Sequence, residues 1–187
     1  MSTGLMEQES HAWHVHCAHG TVVAAGLGLG MFAFAASAKP EVQRVVVAEV
    51  APEVLRLVKA SAGFEAWPCR DKIRLVEVDA LAPDFADRML AATEGMPPDY
   101  FFADIWPNFP AAEAPAATAM MGGALGAKAA GWWGQELSFG LWCIQAARWP
   151  DESALRNYFT AIGVAAHETA GYAAFCRDAM AIHGFVR

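Results

Sequence analysis

Basic residues are scarce in this 187-residue chain. Thirteen Lys and Arg stand against 20 Asp and Glu, a formal net charge of -7. So few cations exclude a broad phosphate-binding footprint, and no nucleic acid is expected among the partners. The first 20 residues hold no Lys or Arg, so the basic n-region of a secretory signal is missing. Cysteine is sparse as well. Cys17, Cys69, Cys143 and Cys176 are scattered, with no C-x-x-C pair. That speaks against a disulfide scaffold and for the buried, reduced thiols of a cytoplasmic protein. Internal repeats and long low-complexity linkers are lacking. Thr21 to Ala38 is an uncharged run long enough to be weighed as a membrane span. Three glycines interrupt it and Lys39-Pro40-Glu41 closes it, so strand, turn and helix are the better reading and no membrane is expected.

What is present is apolar: 56% of the residues are hydrophobic, enough for one domain with a sizeable core. Thr21–Ala25 reads as a strand running into Gly26-Leu27-Gly28-Leu29-Gly30. A helix over Met31–Ala38 follows, then a strand Val45–Glu49. Pro52 opens a helix through Lys59, and 63–72 is a loop. Ile73–Val78 is a third strand, Pro83–Ala92 a short helix and Tyr100–Ala103 a fourth strand. Strands alternating with helices predict an α/β fold: a Rossmann-like, doubly wound, mostly parallel sheet in the order 3-2-1-4, with room for one more strand. Residues 107–130 read as an irregular connection. Trp132–Ile144, Asp151–Gly163 and Ala165–Ile182 read as helices, with Asp151 as a cap; any further strand would lie within Phe139–Ile144. The division is an N-terminal lid over 1–19, helical from a Ser10 cap; a core over 20–109; and a mostly helical region over 110–187.

In such a sheet ligands bind outside the carboxyl ends of the strands. Gly26, Gly28 and Gly30 follow strand one, Glu49 ends strand two, Asp79 follows strand three and Asp104 follows strand four. Glycines let the backbone approach a ligand, and an acid at the second strand end can take both ribose hydroxyls. The set predicts one crevice for an adenosine-containing cofactor.

These stretches, Gly26 to Gly30, Lys39 to Glu49, Val76 to Ala80 and Phe101 to Trp106, resemble the class I S-adenosylmethionine-dependent methyltransferases, with a spermidine-synthase-like flavour. The resemblance covers about residues 20–109. It implies that Gly26, Leu27, Gly28 and Gly30 lie against the methionine part of S-adenosyl-L-methionine and that Glu49 binds the ribose. It further implies that Asp79 and Ala80 contact the adenine, that Val50 packs on its ring and that Asp104 sits nearest the transferring carbon. Ala24 stands where many of these enzymes carry an acid, and the last antiparallel strand pair is missing. Either the C-terminal helices or a second subunit must then cover the sheet edge, so a homodimer is expected.

The implied activity is methyl transfer to a small-molecule acceptor. The alternatives are aminopropyl transfer and a non-catalytic cofactor-binding partner subunit. Asp104 is the first candidate for a catalytic base, followed by His14 and His16 of the histidine-rich segment His11 to His19. His11, Trp13 and Trp106 are candidates for substrate binding. The histidine spacings match no familiar zinc pattern, so no metal is expected. Gln135 and Glu136 read as a solvated helix surface.

Overall fold

The computed structural model describes residues 5–61, 63–167 and 170–185; residues 1–4 of the expected lid and 168–169 of the expected last helix lie outside them. Five parallel strands form one sheet in the order β3-β2-β1-β4-β5. They are β1 (Gly20–Ala25), β2 (Val42–Glu49), β3 (Ile73–Glu77), β4 (Tyr100–Ala103) and β5 (Ala130–Trp132). The helices are α1 (Leu5–Cys17), α2 (Met31–Ser37), α3 (Pro52–Ser61), α4 (Phe85–Ala92), α5 (Ala114–Leu125), α6 (Gln135–Gln145), α7 (Glu152–Ile162) and α8 (Tyr172–Ile182). The expected Rossmann-like, doubly wound architecture is present.

The strands are apolar on both faces because helices cover both. Val22, Ala24, Val45, Val47, Tyr100 and Phe102 pack under α1, α2 and α3. Their neighbours Val23, Ala25, Val46, Ala48, Phe101 and Ala103 pack on the other face, with Phe85 and Met89 of α4 and Met121 and Leu125 of α5. The Thr21–Ala38 run is β1, a turn and α2, and no helix among the described residues is long and apolar enough to cross a membrane.

Four local expectations are corrected. The fifth strand is Ala130–Trp132, and Phe139–Ile144 is helical within α6; three residues are too few to show a strand period. The stretch 107–130 contains a 12-residue helix, α5. Its glycine content hid it, yet Gly122 lets it lie close on Ala130 and Phe101. Helix α8 begins at Tyr172, after Gly171, and Ala165 instead accepts the Ala130 N–H at 2.8 Å. That bond covers part of the sheet edge for which a second subunit was the other expectation. Finally, Ser10 lies inside α1 (Leu5–Cys17) and is not its cap.

Helix α1 buries a polar stripe, Ser10, His11, His14 and Cys17, spaced as one helical face. His14 is fully enclosed, its Nδ1 2.8 Å from the Tyr100 hydroxyl and its ring against Phe102. Burial, with the nearby His11 adding, pushes its imidazole from the ordinary 6.5 down to about 3. The reading of Gln135 and Glu136 as a solvated surface is also corrected: both are buried where α6 meets α8. Gln135 Nε2 donates to Tyr172 Oη at 2.9 Å, and burial pushes the Glu136 carboxyl up to about 7 from 4.5.

These two groups tilt stability in opposite directions. Unfolding lets His14 regain a proton between about pH 6.5 and 3, so stability falls as pH drops through that window. Glu136 holds a proton in the folded state between pH 4.5 and 7, so stability rises as pH drops there. We therefore expect Glu136→Gln to raise stability at pH 8 by roughly 3 kcal/mol and to steepen the acid-side loss between pH 6.5 and 4.5. Thermal melts of both proteins across pH 4 to 8 read this out; parallel curves would contradict it.

Candidate active site

A cleft of about 480 Å³ opens at the carboxyl ends of the strands, within the roughly 300–1,000 Å³ typical of small-molecule sites. Gly26 fixes its floor. This residue follows β1 with φ +95°, and a Cβ there would collide with the main-chain carbonyl of Asp104. Only glycine permits both the left-handed turn and that approach. The Gly26 N–H donates to Ala48 O at 2.9 Å and the Asp104 N–H to Ala25 O at 2.8 Å. The ends of β2, β1 and β4 are thereby locked side by side. Gly28, also left-handed at φ +54°, continues the lining.

Glu49, the last residue of β2, is buried. Its Oε2 accepts the Leu27 N–H at 3.0 Å and its Oε1 the Ala51 N–H at 2.9 Å. Both oxygens are thus held in place, and each keeps a further lone pair for a hydroxyl. Asp79 Oδ1 accepts the Leu81 N–H at 2.9 Å, shaping the turn after β3. Val50, Val54, Val78, Ala80 and Leu81 line the same end with apolar surface. Two fixed oxygens beside an apolar slot fit a ribose with its attached flat base.

The opposite end is built from Asp104, Ile105, Trp106, Pro107, Trp133 and Glu7. Asp104 Oδ2 lies 3.1 Å from His11 Nε2. A carboxylate only accepts, so this pairing puts the proton on Nε2. His11 itself is buried against Phe32 and Phe102. Trp133 follows β5, and its indole N–H donates to Ser10 Oγ at 2.8 Å. Among the described residues the cleft lining contains four carboxylates, Glu7, Glu49, Asp79 and Asp104, and no Lys, Arg or His.

The structure brings Gly26, Gly28, Glu49, Val50, Asp79, Ala80, Asp104 and Trp106 together in this cleft. Leu27 and Gly30 are outside its lining. Leu27 is buried and contributes its amide to Glu49. Gly30 faces the Trp67 indole and leads into α2. The placing of His14 and His16 at the site is corrected: His14 is sealed between α1 and β4, and exposed His16 lies tilted against Trp13. Trp13 is away from the cleft too, packed on Tyr172 and Phe175 of α8 at ring distances of 4.8 and 5.4 Å. His11 is not in the cleft lining and meets the site through Asp104. Among the described residues no three His, Cys, Asp or Glu side chains form a group that could hold a metal ion.

Trp133 lies outside the set chosen from the sequence, and Glu7 was expected only as a residue of the N-terminal lid. The signal for Trp133 was the pair Trp132-Trp133 after a glycine: on a strand such neighbours face opposite ways. Trp132 enters the core beside Tyr158 and Phe159, while Trp133 reaches the cleft. Glu7 carries no signal of its own, because its position depends on how α1 docks.

No family model matches this chain, and no curated protein matches it. Several solved structures are similar. The cofactor-bound protein Rv0187 from MTB aligns over 98% of this chain and 70% of its own, at 16% identity with a TM-score of 0.50. The CcbJ methyltransferase from Streptomyces caelestis aligns over 53% of this chain at 17% identity with a TM-score of 0.40. An rRNA methylase from Streptococcus thermophilus aligns over 57% at 12% identity with a TM-score of 0.39. The alignments take in only 37% and 58% of those two proteins' lengths. The likeness to Rv0187 extends over nearly the whole chain and shows a shared fold.

Because Gly26 lets the β1 and β4 ends meet, Gly26→Ala is expected to strain the backbone and push Asp104 away. A stability loss of about 2 kcal/mol or more is expected, measurable as a lowered denaturant midpoint. A wild-type midpoint would show that the turn has another conformation.

Proposed function

We propose that the chain binds S-adenosyl-L-methionine in this cleft and transfers its methyl group to a small-molecule acceptor. The observation that carries the reading is the convergence of the Gly26 turn with carboxylates from three successive strand ends, Glu49, Asp79 and Asp104, in one cleft. The resemblance noted in the sequence assigns the same residues to this cofactor.

Glu49 holds the ribose hydroxyls, with its carboxylate already oriented by two backbone amides. Val50, Val78, Ala80 and Leu81 flank the base, and Asp79 supplies polar contact at its edge. When bound, the sulfonium supplies an activated methyl group, so the hard chemistry belongs to the cofactor. The protein aligns the acceptor and keeps water out. Trp106, Pro107 and Trp133 wall the acceptor end with apolar surface. Asp104 takes the proton that the acceptor releases. His11 holds one Asp104 oxygen by a hydrogen bond, and Asp104 lines the cleft. His11 is therefore a positioning residue, buried behind the acid.

Isothermal calorimetry tests the binding half. S-Adenosylhomocysteine should bind, NAD should not, and Glu49→Ala should weaken S-adenosylhomocysteine by roughly 30-fold or more, the worth of a charged hydrogen-bond pair. Unchanged affinity in Glu49→Ala would remove the ribose assignment. Asp104→Asn should bind S-adenosylhomocysteine like the wild type. Once an acceptor is found by screening, the same variant should lose about 10²-fold or more in kcat, as expected for a missing proton acceptor. Wild-type turnover would refute the base role.

A further inference from the structure

We infer that Glu136 is a pH-sensitive latch between α6 and α8, closed while its carboxyl holds a proton and opening when it does not. Glu136 is the second residue of α6 and is 2% exposed. Its Oε2 is buried without a hydrogen-bond partner, as is Oε1 of the adjacent Gln135. Tyr172 and Cys176 of α8 both feel its charge, and Cys143 of α6 and Glu152 of α7 act on Cys176 in turn. Each of these titratable groups is neutral or anionic, so none can balance a carboxylate. The segment before α5 brings Phe109 and Pro110 against Gly134, and α1 brings Trp13 against Tyr172; neither adds a charge. Arg177 of α8 is engaged elsewhere, donating to Pro150 O at 2.6 Å. An unpaired carboxylate is costly to bury, and parting the two helices would let water reach it.

Such an opening reaches the cleft on two sides, because α8 braces both. Tyr172 and Phe175 hold Trp13 of α1, the helix that carries His11 to Asp104. His183, which caps α8, packs on Phe109 at a ring distance of 5.5 Å, and Phe109 packs on Trp133 at 4.6 Å. Trp133 lines the cleft three residues before Glu136. Burial keeps the Glu136 carboxyl protonated up to about pH 7, whereas in a hydrated, opened form it ionises near 4.5. Opening is therefore favoured as pH rises between those two values and levels off above the higher one.

Hydrogen exchange read by mass spectrometry on the full chain, corrected for the intrinsic pH dependence of exchange, tests the latch. From pH 5.5 to 7.5 the opening equilibrium of α6 and α8 should rise about 20-fold in the wild type. Segments in β1 and β2 should keep their protection. In Glu136→Gln the rise should vanish; Glu136→Met, also uncharged, gives the same reading should the glutamine variant fail to fold. The same pH dependence in wild type and variant would overturn the assignment, since another group would then be titrating. A uniform loss of protection that included β1 and β2 would overturn it too, because the chain would be unfolding as a whole.

Discussion

The site depends on how closely β1 and β4 approach at their carboxyl ends. Gly26 lies against the Asp104 carbonyl with no room for a side chain, and two backbone hydrogen bonds fasten this contact to β2 and β4. The acid after β4 is therefore held beside the glycine turn, in the same cleft as the acid at the end of β2. Parallel strands bring their carboxyl ends to one edge, but the contact at Gly26 sets the distance. A larger residue would separate the two ends and divide the cleft.

Helix α1 completes the cleft in an unusual way for a surface helix. It buries Ser10, His11 and His14 rather than an aliphatic stripe. Buried polar groups are costly without partners, and each of these finds one, Ser10 at Trp133, His11 at Asp104 and His14 at Tyr100, while His11 Nδ1 and His14 Nε2 stay buried without a hydrogen bond. The bonds fix the helix's register on the sheet, since a shift of one residue would break all three. Lys39 adds a clamp at the far end, donating to the carbonyls of Val15, His16 and Ala18. The histidines of this segment thus serve mainly to dock the helix, and docking carries Glu7 to the cleft.

The C-terminal half supplies the remaining wall. Trp133 is positioned from the short strand β5, whose neighbour Trp132 is anchored among Tyr158 and Phe159. Behind it, the buried pair Gln135 and Glu136 begins α6 and joins it to α8 through Tyr172. A carboxyl buried there costs stability when ionised, which ties the packing of this region to pH.

The strand–glycine–strand–acid order was legible from residue 20 to Asp104, because parallel strands covered on both faces read as apolar runs and their ends as glycine or acid. From it came the sheet order up to β4, the Gly26 turn and the convergence of Glu49, Asp79 and Asp104. Beyond Asp104 the local signals gave out. Strand β5 is three residues long, α5 is rich in glycine, and Gln135 and Glu136 look like surface until α8 covers them. The histidines could not be sorted by spacing alone, since which of them meets Asp104, which meets Tyr100 and which meets solvent depends on the pose of α1 against strands far away in sequence. Local periodicity is written into neighbouring residues, whereas a partner nearly a hundred positions distant is chosen only when the packed helices and sheet bring the two side chains together.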